Sequence, residues 1–396
     1  MKRSLQLVET TSALRFGVAG TALIAATYGL ARLGFGFFLP AFSTSFALTP
    51  SISGLISSGA SILYCICAAI SFRYARAYPR AITASAGLSA AAGSLGIAAA
   101  PTTAIFAAAV LVAGMGAGFA SPGLVQLVQR NVAPSGQGRL QSVVNSGTGF
   151  GVVIAGLLVL ALGDAWRAAW VIVAVIAAVS TLGVLHLDGR RRDDRSDATG
   201  ETSKRRSGSS SFGRLLRPLL GAFVLGIASA AVWVYGRTTL EEAGGMTTKE
   251  SAGAWIALGL GGAGATLISR WLSSRPIAIT WTATVLGVAG ATALIGTAPD
   301  TFVLAYTGTL VFGLAYTAAT SVLILWAAAV GPDSAAGTSA LFIALVLGQA
   351  AGSTMIGFLL EAGTTQIALA VAAVMCAASS LVVLPRGATP AHHAPA

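Results

Sequence analysis

Long apolar runs recur along this chain, separated by short joints that carry charge, Gly or Pro. The first six runs cover about 17–39, 51–72, 81–100, 104–128, 140–162 and 168–187. The second six cover about 215–236, 251–270, 277–297, 301–329, 335–360 and 366–384. Each is close to the roughly 20 residues that a helix needs to cross a bilayer. None has the ten-residue alternation of a membrane strand. The pattern predicts an all-α polytopic membrane protein with twelve transmembrane helices in two six-helix lobes, both chain ends on one side. The first run reads as a retained crossing rather than a cleaved signal, because it contains Arg32 and flows into further membrane sequence.

Between the sixth and seventh runs lies a charged, Ser/Gly-rich stretch without periodicity, the composition of a flexible connector. The expected organisation is an N-terminal lobe over 1–189, a cytoplasmic linker over 190–214, a C-terminal lobe over 215–386 and a flexible tail over 387–396. The halves echo one another. Arg73 to Arg80 follows the second run much as Arg270 to Arg275 follows the eighth, and Gly114 and Gly313 hold similar places in runs four and ten. Pro134-Ser135 precedes the fifth run as Pro332-Asp333 precedes the eleventh. A parallel six-plus-six repeat is the plan of a transporter whose substrate site lies between lobes near the midplane.

Composition sharpens this. The chain is 55% hydrophobic and 9% charged, against roughly 25% charged in a soluble domain, which excludes a soluble enzyme with a modest core. With the N-terminus in the cytoplasm, 20 of the 24 Lys and Arg fall on the inner side. Arg167, Arg237 and Lys249 fall outside, and Arg32 lies within a crossing. That asymmetry assigns the net charge of +11 to membrane topology and lipid headgroups rather than to nucleic acid, and puts both termini in the cytoplasm. Cys65, Cys67 and Cys376 lie inside apolar runs and make neither a disulfide framework nor a metal set. His392 and His393 are too few for a metal site. No cofactor is expected.

Arg32 is the residue with most to say about chemistry. An ionised Arg deep in a crossing costs roughly 2.5–3.5 kcal/mol on an insertion scale, so it is expected to face the bundle interior. No Asp or Glu sits deep in any run; Asp164, Glu241, Asp333 and Glu361 fall at ends or joints. The negative partner is therefore expected to be the substrate, a small organic anion or carboxylate. The plainer readings are that Arg32 pairs with polar groups of a neighbouring helix or snorkels to the interface. Further cavity candidates are Tyr28, Asn145, Trp233, Tyr235, Arg237, Tyr306, Tyr316, Trp326 and Gln349. For Asn145 and Gln349 the alternative is interhelical hydrogen bonding, and for Trp233 and Tyr235 an interfacial aromatic belt. Arg237 stands near the outer mouth, where Glu241 and Glu242 blunt its field. No embedded carboxylate or histidine offers itself as a proton carrier, so a proton would travel with a weak-acid substrate, or the protein is a facilitator.

The Gly-rich stretches 114–118, 147–151 and 259–264 put small residues on helical faces and let helices approach closely. The last is not a phosphate loop, since no Lys-Ser/Thr follows it. Ser121-Pro122-Gly123 is expected to kink the fourth crossing.

Crossing one, with Tyr28-Gly29-Leu30-Ala31-Arg32-Leu33-Gly34-Phe35-Gly36 running to Leu39-Pro40, resembles the YbfB/YjiJ-type branch of the major facilitator superfamily. That superfamily's signature loop between helices two and three has the form G-x-x-x-D-R-x-G-R-R/K. The matching stretch here keeps Arg73, Arg76 and Arg80 but lacks the acid, and so does the second-half copy with Arg270 and Arg275. Val152 stands where proton-coupled exporters of the superfamily place a proline, and the Trp166-Arg167 pair also resembles the family. The resemblance implies two six-helix lobes, alternating access, gating by those five arginines, an inner-membrane location, a monomer and a small-molecule substrate with or without a proton as coupling ion. The alternatives are proton-coupled efflux of drugs or sugars, and a non-transporting membrane sensor or scaffold. A membrane enzyme would need clustered nucleophiles or acid–base pairs, and the sequence has none.

Overall fold

The computed structural model describes residues 14–189, 209–330 and 334–383. The central linker up to residue 208 and the C-terminal tail lie outside them. Twelve helices are long and apolar enough to cross a membrane: α1 Leu14–Arg32, α2 Pro50–Tyr74, α3 Pro79–Ala99, α4 Thr103–Asn131, α5 Gly136–Leu162, α6 Trp166–Leu187, α7 Arg214–Ala243, α8 Thr248–Ser274, α9 Ile277–Thr297, α10 Phe302–Val330, α11 Ala336–Ala362 and α12 Thr365–Val383. Below, the end of the bundle that holds residues 14 and 383 is the terminal end, and the opposite end is the far end.

Local chemistry sets the helix boundaries. Thr49, Thr102, Thr247 and Thr364 each accept one free backbone N–H, three residues on, in the first turn of α2, α4, α8 and α12. At α8 Glu250 completes a reciprocal capping box with Thr247. Arg167 closes the opposite end of α3 by donating to the Ala98 and Ala100 carbonyls at 2.7 and 3.0 Å, which gives the Trp166-Arg167 pair a concrete task. The chain past α1 does not stop near residue 39 as the apolar run suggests. It continues helically through Gly34–Phe37 and Leu39–Phe46 to Ala47, which takes a left-handed conformation. Phe42 and Phe46 hold this extension against Phe106 and Trp166. Likewise the helix leading into α7 starts at Ser209, inside the stretch expected to be linker.

Packing repeats between the halves. Helix α1 lies on α5, and α7 on α11; α2 pairs with α4 and α8 with α10; α3 touches α4 and α6 as α9 touches α10 and α12. Two glycine pairs show the repeat at atomic scale. Gly29 of α1 meets Gly151 of α5, and Gly226 of α7 meets Gly348 of α11, so closely that any Cβ would collide with facing backbone. Gly226 and Gly348 follow their partners in the first half by the same number of positions. Facing lipid instead, Leu88 and Leu95 of α3 and Val374 of α12 are half to three-quarters exposed, the normal state of a helix whose solvent is hydrocarbon.

Between the lobes α2 runs along α11, and α5 along α8. The seam is tight at the far end. A Cβ on Gly36 would collide with the Trp233 carbonyl, and one on Gly357 with the Pro50 carbonyl. Tyr235 donates to the Ser353 and Pro50 carbonyls at 2.7 and 3.0 Å, and Ser51 N–H donates to Glu361. Toward the terminal end α5 and α8 part: Asn145 and Thr266 are exposed, and open space faces Gly149.

Candidate functional site

Helix α1 departs from α-geometry just where Arg32 must be aimed. Over Ala25–Arg32 the turn widens, with Leu33 N–H bonding the Tyr28 carbonyl at 3.0 Å. Such widened turns cost backbone regularity and concentrate at functional positions. Here the wide turn rests on Gly147 and Gly151 of α5, so the α5 glycines support the presentation of Arg32.

The Arg32 guanidinium points into the seam. Its Nη2 donates to Gln349 Oε1 across the lobe boundary at 2.9 Å, and Cζ lies 4.4 Å from the Tyr64 ring centroid. Among the described residues Gln349 is its only hydrogen-bond acceptor, which leaves most of its five N–H donors without a protein partner. Gln349, 7% exposed, also donates from Nε2 to the Tyr316 hydroxyl at 3.0 Å. Tyr316 stacks on Phe312 and meets Trp233 edge-on at 5.4 Å, while Tyr28 and Tyr64 share a hydrogen bond at 3.1 Å. The Trp233 indole N–H is buried without an acceptor.

Arg32, Trp233 and Gln349 line a cavity between the lobes whose polar lining is completed by Ser57, Ser61 and Ser353, with no carboxylate among them. Its net charge is that of one guanidinium. The cavity therefore supplies N–H and O–H donors, the aromatic groups of Trp233 and Phe35 and one positive charge.

Three of the ten residues singled out from sequence line this cavity, Arg32, Trp233 and Gln349, and Tyr28 and Tyr316 adjoin it through Tyr64 and Gln349. The other five lie elsewhere. Tyr235 and Arg237 tie the far-end seam, with Arg237 2% exposed and paired to Glu241. Asn145 is exposed on the terminal half of α5 and accepts from Gln141. Tyr306 donates to the Glu250 carbonyl at the far end. Trp326 packs on Trp281 inside the C-terminal lobe. Tyr64, Ser57, Ser61 and Ser353 join the site without having been singled out; Tyr64 and the α2 serines recur at one helical face, the signal that would have found them.

Of the loop arginines, Arg73, Arg76, Arg270 and Arg275 are exposed at the terminal end. Arg80 is not idle. It donates to Asp188 at 2.6 Å, and the same carboxylate accepts from Arg130 and from Asn131 at 2.8 Å. An acid at the end of α6 thus meets the loop arginine Arg80 and binds α3 and α4 together. Burial pushes the Asp188 carboxyl up, but the bonds from Asn131 and Arg80 and the charge of Arg130 outweigh it, so it titrates below the ordinary aspartate value.

The profile of the Major Facilitator Superfamily matches residues 21–346. No curated protein sequence matches significantly. Among solved structures the chain is similar to a bacterial homologue of the human lysosomal transporter Spinster, inward-facing and unoccupied, at 15% identity and TM-score 0.71 over 94% of each chain. It is similar to the nucleoside transporter NupG at 14% identity and TM-score 0.72, over 93% of this chain and 97% of that one. It is also similar to a D-xylose–proton symporter at 14% identity and TM-score 0.73, over 92% and 96%. At these identities the likeness shows the fold, and with the profile match it fixes the family: this chain belongs to the Major Facilitator Superfamily.

Proposed function

We propose that the protein is a secondary transporter of a small organic anion, with a carboxylate as the group it recognises. The observation that carries this reading is Arg32, a guanidinium in an interlobe cavity whose only hydrogen-bond acceptor among the described residues is a neutral amide. A carboxylate entering the cavity would displace Gln349 Oε1 and accept two N–H bonds in the planar fork that only Arg provides. Trp233 and Phe35 of the cavity wall would cover its body. Because Arg32 and Gln349 belong to opposite lobes, exchanging their bond for bonds to a substrate alters the seam itself, which is what alternating access requires. In this reading the chain sits in the inner membrane as a monomer with cytoplasmic termini, in the YbfB/YjiJ-type branch. The loop arginines and the Asp188 cluster would brace its terminal gate.

The test is binding to the purified protein, read as thermal stabilisation across mono- and dicarboxylates, sugars and cationic drugs. Carboxylates are expected to raise the melting temperature, and Arg32→Lys to weaken them at least about tenfold, the loss of one charge-assisted bond. Stabilisation by sugars or drugs that ignores Arg32→Lys would overturn the anion assignment in favour of the aromatic walls as the binding surface.

A further inference from the structure

Three serines line the Arg32 cavity, and two of them have their hydroxyls committed. Ser353 Oγ donates to the Gln349 carbonyl one turn back at 2.7 Å. Ser57, whose hydroxyl lies 3.1 Å from Ser353 Oγ, must therefore be the donor of that bond across the lobe boundary. Ser61 differs from both. It is 7% exposed, yet its hydroxyl bonds neither the backbone of its own helix nor any other described residue. A serine inside a helix ordinarily returns its hydroxyl to a carbonyl three or four residues back, as Ser53 does with Thr49 at 2.9 Å. The Trp233 indole N–H also lacks an acceptor, but that nitrogen is fully enclosed. Ser61 Oγ is not enclosed in that way and stays reachable from the cavity.

Its place in α2 puts this hydroxyl close to the guanidinium. Ser61 precedes Tyr64 by three residues, so the two side chains share one face of the helix, and Arg32 Cζ lies over the Tyr64 ring. The hydroxyl therefore stands about 4.5 Å along the helix axis from the level of Tyr64, on the far-end side. The cavity itself is small, about 40 Å³, which is space for a few water molecules. Beyond the six polar residues its walls are glycine, alanine and larger apolar side chains. Such a space takes a carboxylate on a short carbon skeleton and offers it one free polar contact besides those to the carboxyl group.

We propose that Ser61 is a specificity-determining residue of this cavity, and that the preferred substrate is a short monocarboxylate with a hydroxyl or oxo oxygen on the carbon next to its carboxyl group. The inference rests on the reading of Arg32 as the carboxylate anchor. With no substrate bound, water satisfies the Ser61 hydroxyl. A substrate that enters displaces that water, and one that puts only hydrocarbon in its place leaves a buried hydroxyl unpaired, which costs affinity. A substrate oxygen beside the carboxylate restores the lost bond. Discrimination therefore comes as much from the penalty on the unsubstituted acid as from the contact with the substituted one. Arg32 and Ser61 both belong to the N-terminal lobe, so this pair reads the substrate before the C-terminal lobe closes on it through Gln349.

The test titrates the purified full-length protein with lactate, pyruvate and propionate, three acids of equal chain length that are all ionised at neutral pH, and reads affinity from thermal stabilisation. Lactate and pyruvate are expected to bind about threefold to tenfold more tightly than propionate, the worth of one net hydrogen bond. Ser61→Ala is expected to abolish that preference while leaving propionate affinity unchanged, a change of ratio that a merely structural role for Ser61 would not produce. Equal binding of all three acids through Arg32 overturns the role of Ser61 and leaves the anion assignment standing. Equal weakening of all three by Ser61→Ala also overturns it, because the hydroxyl would then serve the carboxylate or the packing of α2. Binding of none of them, with other carboxylates equally inert, overturns the anion assignment and this inference with it. If Ser61→Ala does not fold, the ranking of the three acids on the unaltered protein decides alone.

Discussion

Arg32 and Gln349 form an unequal pair, a full charge held by a neutral amide. The amide is itself oriented by Tyr316, so its oxygen faces the guanidinium and its nitrogen faces away. That arrangement satisfies one N–H of Arg32 at little cost and is weak enough to be displaced. Gln349→Glu would convert it into an ion pair that a substrate carboxylate must compete with. We expect this variant to lose at least about tenfold in carboxylate affinity while its ligand-free melting temperature holds or rises, both read from the same thermal-shift titration. Arg32 was legible in the sequence because a guanidinium in an apolar run announces its own cost. Tyr64, Ser57 and Ser353 were not, since a hydroxyl in a membrane helix bonds its own backbone as readily as it faces a cavity. Trp326 and Tyr306 look alike in sequence to Trp233 and Tyr316, and only the rotation of α10 and its neighbours separates core from cavity. Asp188 was hidden for a different reason: it abuts the charged linker and looks like its first residue.

Between elements, glycine contacts and one carboxylate govern how helices hold each other. A side chain at Gly151 or Gly348 has no space, because facing backbone of α1 or α7 already occupies it. Gly151→Val and Gly348→Val are each expected to destabilise by roughly 1–3 kcal/mol through overpacking. Gly290→Ala meets nothing within van der Waals reach and is expected to be neutral or to gain up to about 1 kcal/mol of helix propensity. Thermal or denaturant unfolding in detergent distinguishes them. The Asp188 hub adds a pH signature. Its carboxyl titrates lower folded than unfolded, so its stabilisation is fully present above about pH 4, the unfolded aspartate value, and is lost as pH falls through the lower folded one. Asp188→Asn is expected to lower stability on the order of 2–3 kcal/mol at neutral pH, less than for a fully enclosed pair because Arg80 and Arg130 reach water. The gap between variant and parent should close below about pH 4. Helix existence and order were legible because twelve apolar runs leave few alternatives. The helical continuation of α1 through Phe46 was not, because it depends on Phe106 and Trp166 from distant crossings.

At the scale of the whole molecule, the seam is shut at the far end, while toward the terminal end α5 and α8 separate and α2 stays packed on α11 through Cys65 and Ile343. Far-end closure rests on contacts of different kinds, namely Gly36 against the Trp233 carbonyl, Tyr235 on two carbonyls, and Arg237 on the Phe37 carbonyl. A lobe rotation that opens this end must break them together, which makes the closure cooperative rather than gradual. Accessibility to a membrane-impermeant maleimide separates the two ends. In a background lacking the native cysteines, Asn145→Cys is expected to react from the terminal side and Ser53→Cys, which lies buried at the far end, to stay protected from both. Under the proposed orientation, with the basic loops in the cytoplasm, the terminal side is the one exposed in inverted membrane vesicles, so Asn145→Cys should label there and not in intact spheroplasts. Labelling of Asn145→Cys from the opposite face would reverse the orientation while leaving the fold intact. Equal protection of both positions would instead mean that the terminal half of the seam is closed in the membrane and that the protein rests in an occluded state.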